Sequence, residues 1–271
     1  MKSVLRMVAK GVSVKFVSYK ETIPKVLDAL KFDQELQKHM RIVLKPVLNT
    51  IGNNTPVEFT EAVLAYCLAK KQPMAELCIA EGSEGAETGE LFDAAGYTKL
   101  AERYGVSLID LNTAATEPQQ RGEFLKYADI QLPLVLKDSF VIALPKAGDH
   151  PEWEYSGALA TMLGAYPARH YRGWFTKQKS KLREFPVRYA IHDILKCKMP
   201  NTAIIDASDK EKILIGDPFE LDKQGAKLYR GDWKNVQHLR LLEEARVYHQ
   251  KRAEQRAHEK ELQALMPKQL E

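Results

Sequence analysis

The sequence predicts an α/β protein: a mainly parallel or mixed sheet flanked by helices, with a helical extension at the C-terminal end. Three observations carry that expectation. Short β-type runs alternate with helix-type runs, the pattern of βα units stacked on one sheet. The polar, glycine-bearing stretches fall directly after the strand runs, where open α/β sheets place their ligand sites. Past residue 233 the apolar positions thin out into an almost wholly polar helix.

Taken in order, strands are expected at residues 12–19, 41–47, 75–80, 107–111, 130–136, 140–145 and 202–206. Helices are expected at 22–39, 55–71 and 89–104. The second opens with Thr55, Pro56 and Glu58, which offer a cap hydroxyl, a first-turn proline and an early acid. "GALATMLGAY" from Gly157 reads as a small-residue helix suited to close packing, and "FPVRYAIHDILKCK" as another. A short "ILIGDP" precedes a helix at 219–229, and a last helix runs from 234 to about 266. Its apolar contacts (Val236, Leu239, Leu242, Tyr248) give way to "QKRAEQRAHEKE". The expectation is one α/β domain over 1–233 and a polar helical extension over 234–271, solvated or docked on a protein partner.

With 271 residues, 45% of them hydrophobic, the chain can bury a sizeable core. No run approaches 18 apolar residues, and Lys2, Arg6, Lys10 and Lys15 interrupt the start, so no membrane segment and a cytoplasmic location are expected. Cys67, Cys78 and Cys197 lack metal-site spacing and read as reduced core residues; an iron–sulfur cluster is not expected. The net charge of +4 hides an asymmetry. Residues 72–98 hold six acids and no Lys or Arg, whereas 168–200 hold nine basic residues against Glu184 and Asp193. Such blocks face each other, a shared charged ligand, or solvent.

The loop "IAEGSEGAETG" fits neither phosphate-binding glycine motif, and its Glu81, Glu84 and Glu87 would repel an anion. Those acids need a cation, either a hard metal or the basic segment folded over them. "PKAGDH" clusters Lys146, Asp149 and His150 after a strand, residue types that hold anions, ligate metals or move protons. His39, His238, His249 and His258 lie on polar helical stretches and read as surface residues. Asp206 and Asp217 close short apolar runs, which would set two carboxylates on one rim or simply make turns. "ARHYRGWFTKQKSKLREF" interleaves aromatic and basic residues as a nucleic-acid binder would, but the acidic middle of the chain favours a flap over a small anionic ligand.

The order of these stretches resembles the domain of unknown function 362 family. The family's Lys-Pro-Asn turn is similar to "LKPVLN", with Lys45 and Pro46 kept and the asparagine moved to Asn49. Thr55 and Glu58 match its helix opening; Glu81, Gly82 and Thr88 match its acidic glycine loop; "GYTKLAERYGVSLIDLN" matches closely, with Asp110 and Asn112 in place. Lys146 and His150 resemble its Pro-Lys-x-x-x-His turn, Gly157 and Ala158 its Gly-Ala helix, and Asp206, Asp217 and Asp222 its final strand and Asp-Pro helix start. Ala160 and Thr161 stand where members often have Lys and Asn. The cysteine clusters of some members are missing, so ferredoxin-type chemistry does not carry over.

The resulting expectation is a small anionic metabolite or cofactor at the strand-end loops, with a divalent metal as its companion. Lys45 and Lys146 would hold the anion; Asn49, Gly82, Thr88, Asp110, Asn112 and Gly157 would complete the binding surface. Glu81, Asp206 and Asp217 would ligate metal, with His150 as ligand or general base. The competing expectations are RNA binding through 169–183 and a non-enzymatic partner subunit using the last helix.

Overall fold

The computed structural model describes residues 11–50, 53–174 and 178–265. Seven strands form one mixed sheet in the order β1 (Val12–Lys15), β11 (Lys212–Gly216), β10 (Thr202–Ala207), β7 (Phe140–Ala143), β2 (Arg41–Lys45), β3 (Glu76–Glu81) and β4 (Ser107–Asp110). The five from β10 to β4 are parallel; β11 runs antiparallel to both of its neighbours. Central strands with both faces covered need near-continuous apolar sequence, and "RIVLK", "ELCIAE" and "TAIIDA" supply it.

Alternation along those strands divides the core between the two faces. Ile42, Leu44, Ile79 and Ile204 pack under α1 (Tyr19–Ala29), α3 (Val57–Lys70) and α5 (Tyr97–Tyr104), reached through Ile23, Phe59 and Leu100. On the other face Val43, Ala80 and Ile205 meet Leu159, Leu163 and the helices α8 (Val187–Cys197) and α9 (Pro218–Arg230), through Ile194 and Phe219. The remaining helices are α2 (Asp33–Leu36), α4 (Thr88–Ala94), α6 (Leu134–Lys137), α7 (Ala168–Tyr171) and α10 (Gln237–Leu265); hairpins pair β5 (Thr116–Gln119) with β6 (Ile130–Pro133) and β8 (Gly148–His150) with β9 (Glu154–Ser156).

Several expectations are corrected. The helix at 22–39 is two helices, because Lys31 turns the chain at φ +54°. The helix at 89–104 breaks at Gly96, φ +82°, a conformation in which a Cβ is strained. The strand at 12–19 stops at Lys15, since Ser18 caps α1 by accepting from the Glu21 amide. The strand at 130–136 ends at Pro133, which opens α6. Thr55 is no helix cap: its hydroxyl donates to the Leu144 carbonyl and accepts from Val47 N–H, joining two strand ends. "GALATMLGAY" forms a 3₁₀ turn over Ala160–Ala165. "ILIG" is a full strand, β11, and both hairpins went unforeseen.

At the C-terminal end, Val236, Leu239 and Leu242 are buried, so the first turns of α10 belong to the core and the polar stretch projects beyond them. His238 is 1% exposed and no surface residue; the helix start turns it inward beside Val236 and Leu239. Cys67 and Cys78 are buried as expected, and burial pushes their thiols up to about 12 and about 11. Among the described residues no helix is long and apolar enough to cross a membrane.

Candidate functional site

Parallel strands β2 and β3 end side by side, and their last residues are Lys45 and Glu81. The Lys45 ammonium donates to Glu81 Oε2 at 2.8 Å, with both side chains almost wholly buried. Glu81 Oε1 accepts from the Gly82 amide at 3.0 Å. Burial raises the carboxyl above its ordinary range, and the Lys45 and Lys179 ammonium groups oppose that rise. A second buried lysine completes the cluster. Lys179 Nζ donates to the carbonyls of Gly82 at 2.7 Å, Gly164 at 2.8 Å and Leu163 at 3.4 Å, and burial pulls its pKa down to about 8.

The segment that carries Lys179 covers the acidic loop. Arg183 Nη1 lies 3.0 Å from Glu84 and its Nε donates to Glu152 at 2.7 Å; Arg172 lies 3.6 Å from Glu87. Each glutamate that would have repelled a ligand therefore has a cation from the chain itself. The two charge blocks of the sequence meet here. The basic residues expected to face a nucleic acid are largely spent inward, with Arg169 bonded to the Thr113 carbonyl and the Thr116 hydroxyl as well. Phe175 and Lys177 of that stretch fall outside the described residues.

Glycines let the backbones touch. A methyl group on Gly82 would lie 2.4 Å from the Gly164 carbonyl oxygen, and one on Gly164 would lie 2.4 Å from Glu81 Oε1. Asn112 then ties the loop down: its Nδ2 donates to the Ser83 carbonyl at 2.8 Å and to Thr88 Oγ1 at 3.1 Å, while its Oδ1 accepts from Ala168 N–H. Asp110 holds that asparagine's amide at 2.8 Å.

Between the strand ends and the covering segment lies a cavity of about 160 Å³. Its polar wall includes Asn49, Glu81, Ser83, Glu84, His150 and Arg183, and its apolar wall includes Val47, Leu163 and Trp153. The His150 ring stacks on Trp153 with centroids 3.3 Å apart. Burial, with help from Arg183, pushes its pKa down to about 4, so it is neutral at pH 7. Its Nδ1 faces the Glu152 amide at 3.2 Å, which leaves the proton on Nε2. The ring is thus a hydrogen-bond donor to whatever sits beyond it. The Ser83 hydroxyl and the Trp153 indole N–H are buried with no hydrogen-bond partner among the described residues.

Of the residues predicted from sequence, Asn49, Glu81, Gly82 and His150 line this cavity, and Lys45 stands directly behind Glu81. Thr88, Asp110 and Asn112 brace the loop from outside the lining. The others lie elsewhere. Lys146 pairs through its backbone with Asp206, whose buried carboxylate accepts from the Tyr19 hydroxyl at 2.8 Å and from Ser208 N–H. Asp217 caps α9 by accepting from the Phe219 and Glu220 amides. Gly157 packs against the buried Asp222, whose carboxylate holds the Ala158 and Leu159 amides. Among the described residues no three or more His, Cys, Asp and Glu side chains gather as a metal would require. Sequence reasoning missed Ser83, Trp153 and the lining role of Arg183; the complementary charge blocks were the one signal that pointed to Arg183.

Fold and site together define an open α/β protein with a polar cavity at the carboxyl ends of two central parallel strands. The family model for a domain of unknown function, DUF362, matches residues 42–212, more than half of the chain, and the chain belongs to that family. Among solved structures, the lactate racemase apoprotein from Thermoanaerobacterium thermosaccharolyticum has a similar fold, with a TM-score of 0.53 and 14% identity. The likeness covers 82% of this chain and 57% of that one, so the chain spans little more than half the length of this neighbour. No curated protein sequence matches.

Proposed function

We propose that the chain binds a small carboxylate- or phosphate-bearing metabolite in the cavity at the ends of β2 and β3. The observation that carries this reading is Arg183. Among the described lining residues it is the only Lys or Arg, and its Nη2 makes no hydrogen bond to them while Nε and Nη1 are held by Glu152, Glu84 and the Lys179 carbonyl. Two anchoring carboxylates orient the guanidinium, and the remaining edge suits an incoming oxyanion. His150 adds a neutral donor, Ser83 a hydroxyl, and the Trp153 face an apolar wall for the rest of a compact ligand. The similar fold named as a lactate racemase apoprotein brings to mind a small hydroxy acid, which makes such carboxylates the first to try.

The test is isothermal titration with a panel of small carboxylates and phosphate esters, beside native mass spectrometry of the protein as purified. Binding by at least one member, weakened roughly tenfold or more by Arg183→Gln, supports the proposal. A panel with no binder, or an affinity that Arg183→Gln leaves unchanged, overturns it.

A further inference from the structure

We propose that the chain pairs with a second copy of itself through the outer face of α10, the two helices running antiparallel about a two-fold axis at Tyr248. The surface shares no lining residue with the cavity at the ends of β2 and β3, and the pairing does not depend on what that cavity binds. The face begins where the core ends. Past Leu242 the described side chains of α10 are exposed or half-buried, yet the helix runs on to Leu265. A long polar helix draws most of its stability from packing or from a dense set of pairs along its own surface. Among the described residues the pairs within this stretch are few: Arg240 with Glu244 at 3.9 Å, Gln250 with Glu254 at 2.9 Å, and Arg252 with the Tyr248 hydroxyl at 3.3 Å.

A groove of about 640 Å³ runs along this face, walled on the body side by the loop at 122–125 and by His192 of α8. Residues at four-residue spacing share one stripe of a helix. In the groove one stripe is Leu241, Ala245, His249 and Ala253, mostly apolar or small. The next is Glu244, Tyr248, Arg252 and Arg256. Tyr248 is 56% exposed, and Leu125 on the facing loop is 45% exposed. An exposed tyrosine and leucine beside an apolar strip, with charges around them, is the composition of a small protein interface.

The order of the charges decides the occupant. The acids sit at the body end, Glu244 on the helix and Glu123 on the loop, where Lys196 of α8 lies 3.3 Å from it. The bases, Arg252 and Arg256, lie toward the tip, and neither has a carboxylate partner among the described residues. A partner of one sign would be repelled at one end of the groove. A second α10 laid antiparallel reverses the order instead. Glu244 and Arg252 each stand four residues from Tyr248, about 6 Å along the axis on either side, so each Arg252 falls level with the partner's Glu244. The two tyrosines meet on the axis, and the tip that carries Arg256 passes along the partner's body. The same patch serves both copies, as a closed two-fold pair requires. Contact over a few helical turns is small, so a reversible dimer of micromolar strength is expected.

The experiment is sedimentation velocity of the full chain at low ionic strength, from low micromolar to hundreds of micromolar concentration. A monomer–dimer equilibrium that weakens with added salt is expected. Arg252→Glu sets acid against acid at two symmetric places and should weaken the dimer roughly tenfold or more, as should Glu244→Arg. The double exchange, Glu244→Arg with Arg252→Glu, restores opposite charges and should bring association back to within about threefold of wild type. Both side chains are exposed, so these variants keep the fold, which circular dichroism checks. A chain that stays monomeric throughout overturns the proposal and leaves the groove to a different protein. A dimer indifferent to Arg252→Glu, or a double exchange that does not recover, overturns it as well. Neither Glu244 nor Arg252 lines the inner cavity, so failure here is distinguishable from failure of ligand binding there.

Discussion

Glu81 is the residue on which the site turns. Its carboxylate is the counter-charge for a lysine that is itself 1% exposed, so Glu81→Gln leaves Lys45 buried without an ionised partner. The expected loss is about 3–5 kcal/mol of unfolding free energy, measured by urea denaturation; a loss under about 1 kcal/mol would mean that the pair is not buried as described. His238 sets a second expectation. Burial holds its folded pKa down at about 3, against an ordinary value of 6.5, so the unfolded chain takes up the proton first. Stability from this residue is complete above pH 6.5 and is lost as pH falls toward 3, with a slope of up to about 1.4 kcal/mol per pH unit. His150, with a folded value of about 4, acts in the same direction, whereas Asp222, raised to about 7 by burial, acts in the opposite one. The informative quantity is therefore the unfolding free energy of wild type minus that of His238→Leu in urea melts at pH 7, 6 and 5, a signed difference that should fall steadily with acid. At this scale Asn49, Glu81, Gly82 and His150 were legible in the sequence because each lies in a polar stretch at or after the end of an apolar strand run. Arg183 and Trp153 were not, because their roles arise where loops distant in the chain from Glu81 fold back over it.

Elements were legible where composition was extreme and obscure where a single backbone angle decided. The central strands declared themselves by unbroken apolar runs. The helix expected at 22–39 gave no sign that Lys31 would leave the helical region, and "GALATMLGAY" carried nothing to distinguish a 3₁₀ turn from an α-helix. Asp217 illustrates the same limit: a carboxylate before proline at a strand end suits a metal ligand and a helix cap equally, and only the amides of Phe219 and Glu220 separate the two. Asp217→Ala should cost about 1 kcal/mol by shortening the life of the first turn of α9, and should leave ligand affinity unchanged. A large drop in affinity with unchanged stability would restore the metal-ligand role.

The molecule as a whole divides its labour between a rigid frame and a projecting helix. At 29 residues, α10 is roughly 44 Å long, yet its buried contacts among the described residues end at Leu242. A chain ending at Gln250 should keep its melting temperature within a degree or two, whereas one ending at Trp233 exposes Val236's, Leu239's and Leu242's former seats and should unfold or aggregate; circular dichroism melts separate the two outcomes. The parallel sheet and its loop cluster could be read from alternation alone, while the antiparallel strand β11 was lost because a strand of five residues bounded by turns looks like a turn itself. The buried ammonium of Lys179 has one more implication. All three of its bonds end on main-chain oxygens, those of Gly82, Leu163 and Gly164, so this tie between the loop and the 3₁₀ turn does not depend on which side chains those three positions carry. Substitution at wall positions such as Leu163 and Thr161 should recut the shape offered to a ligand while leaving those main-chain contacts in place.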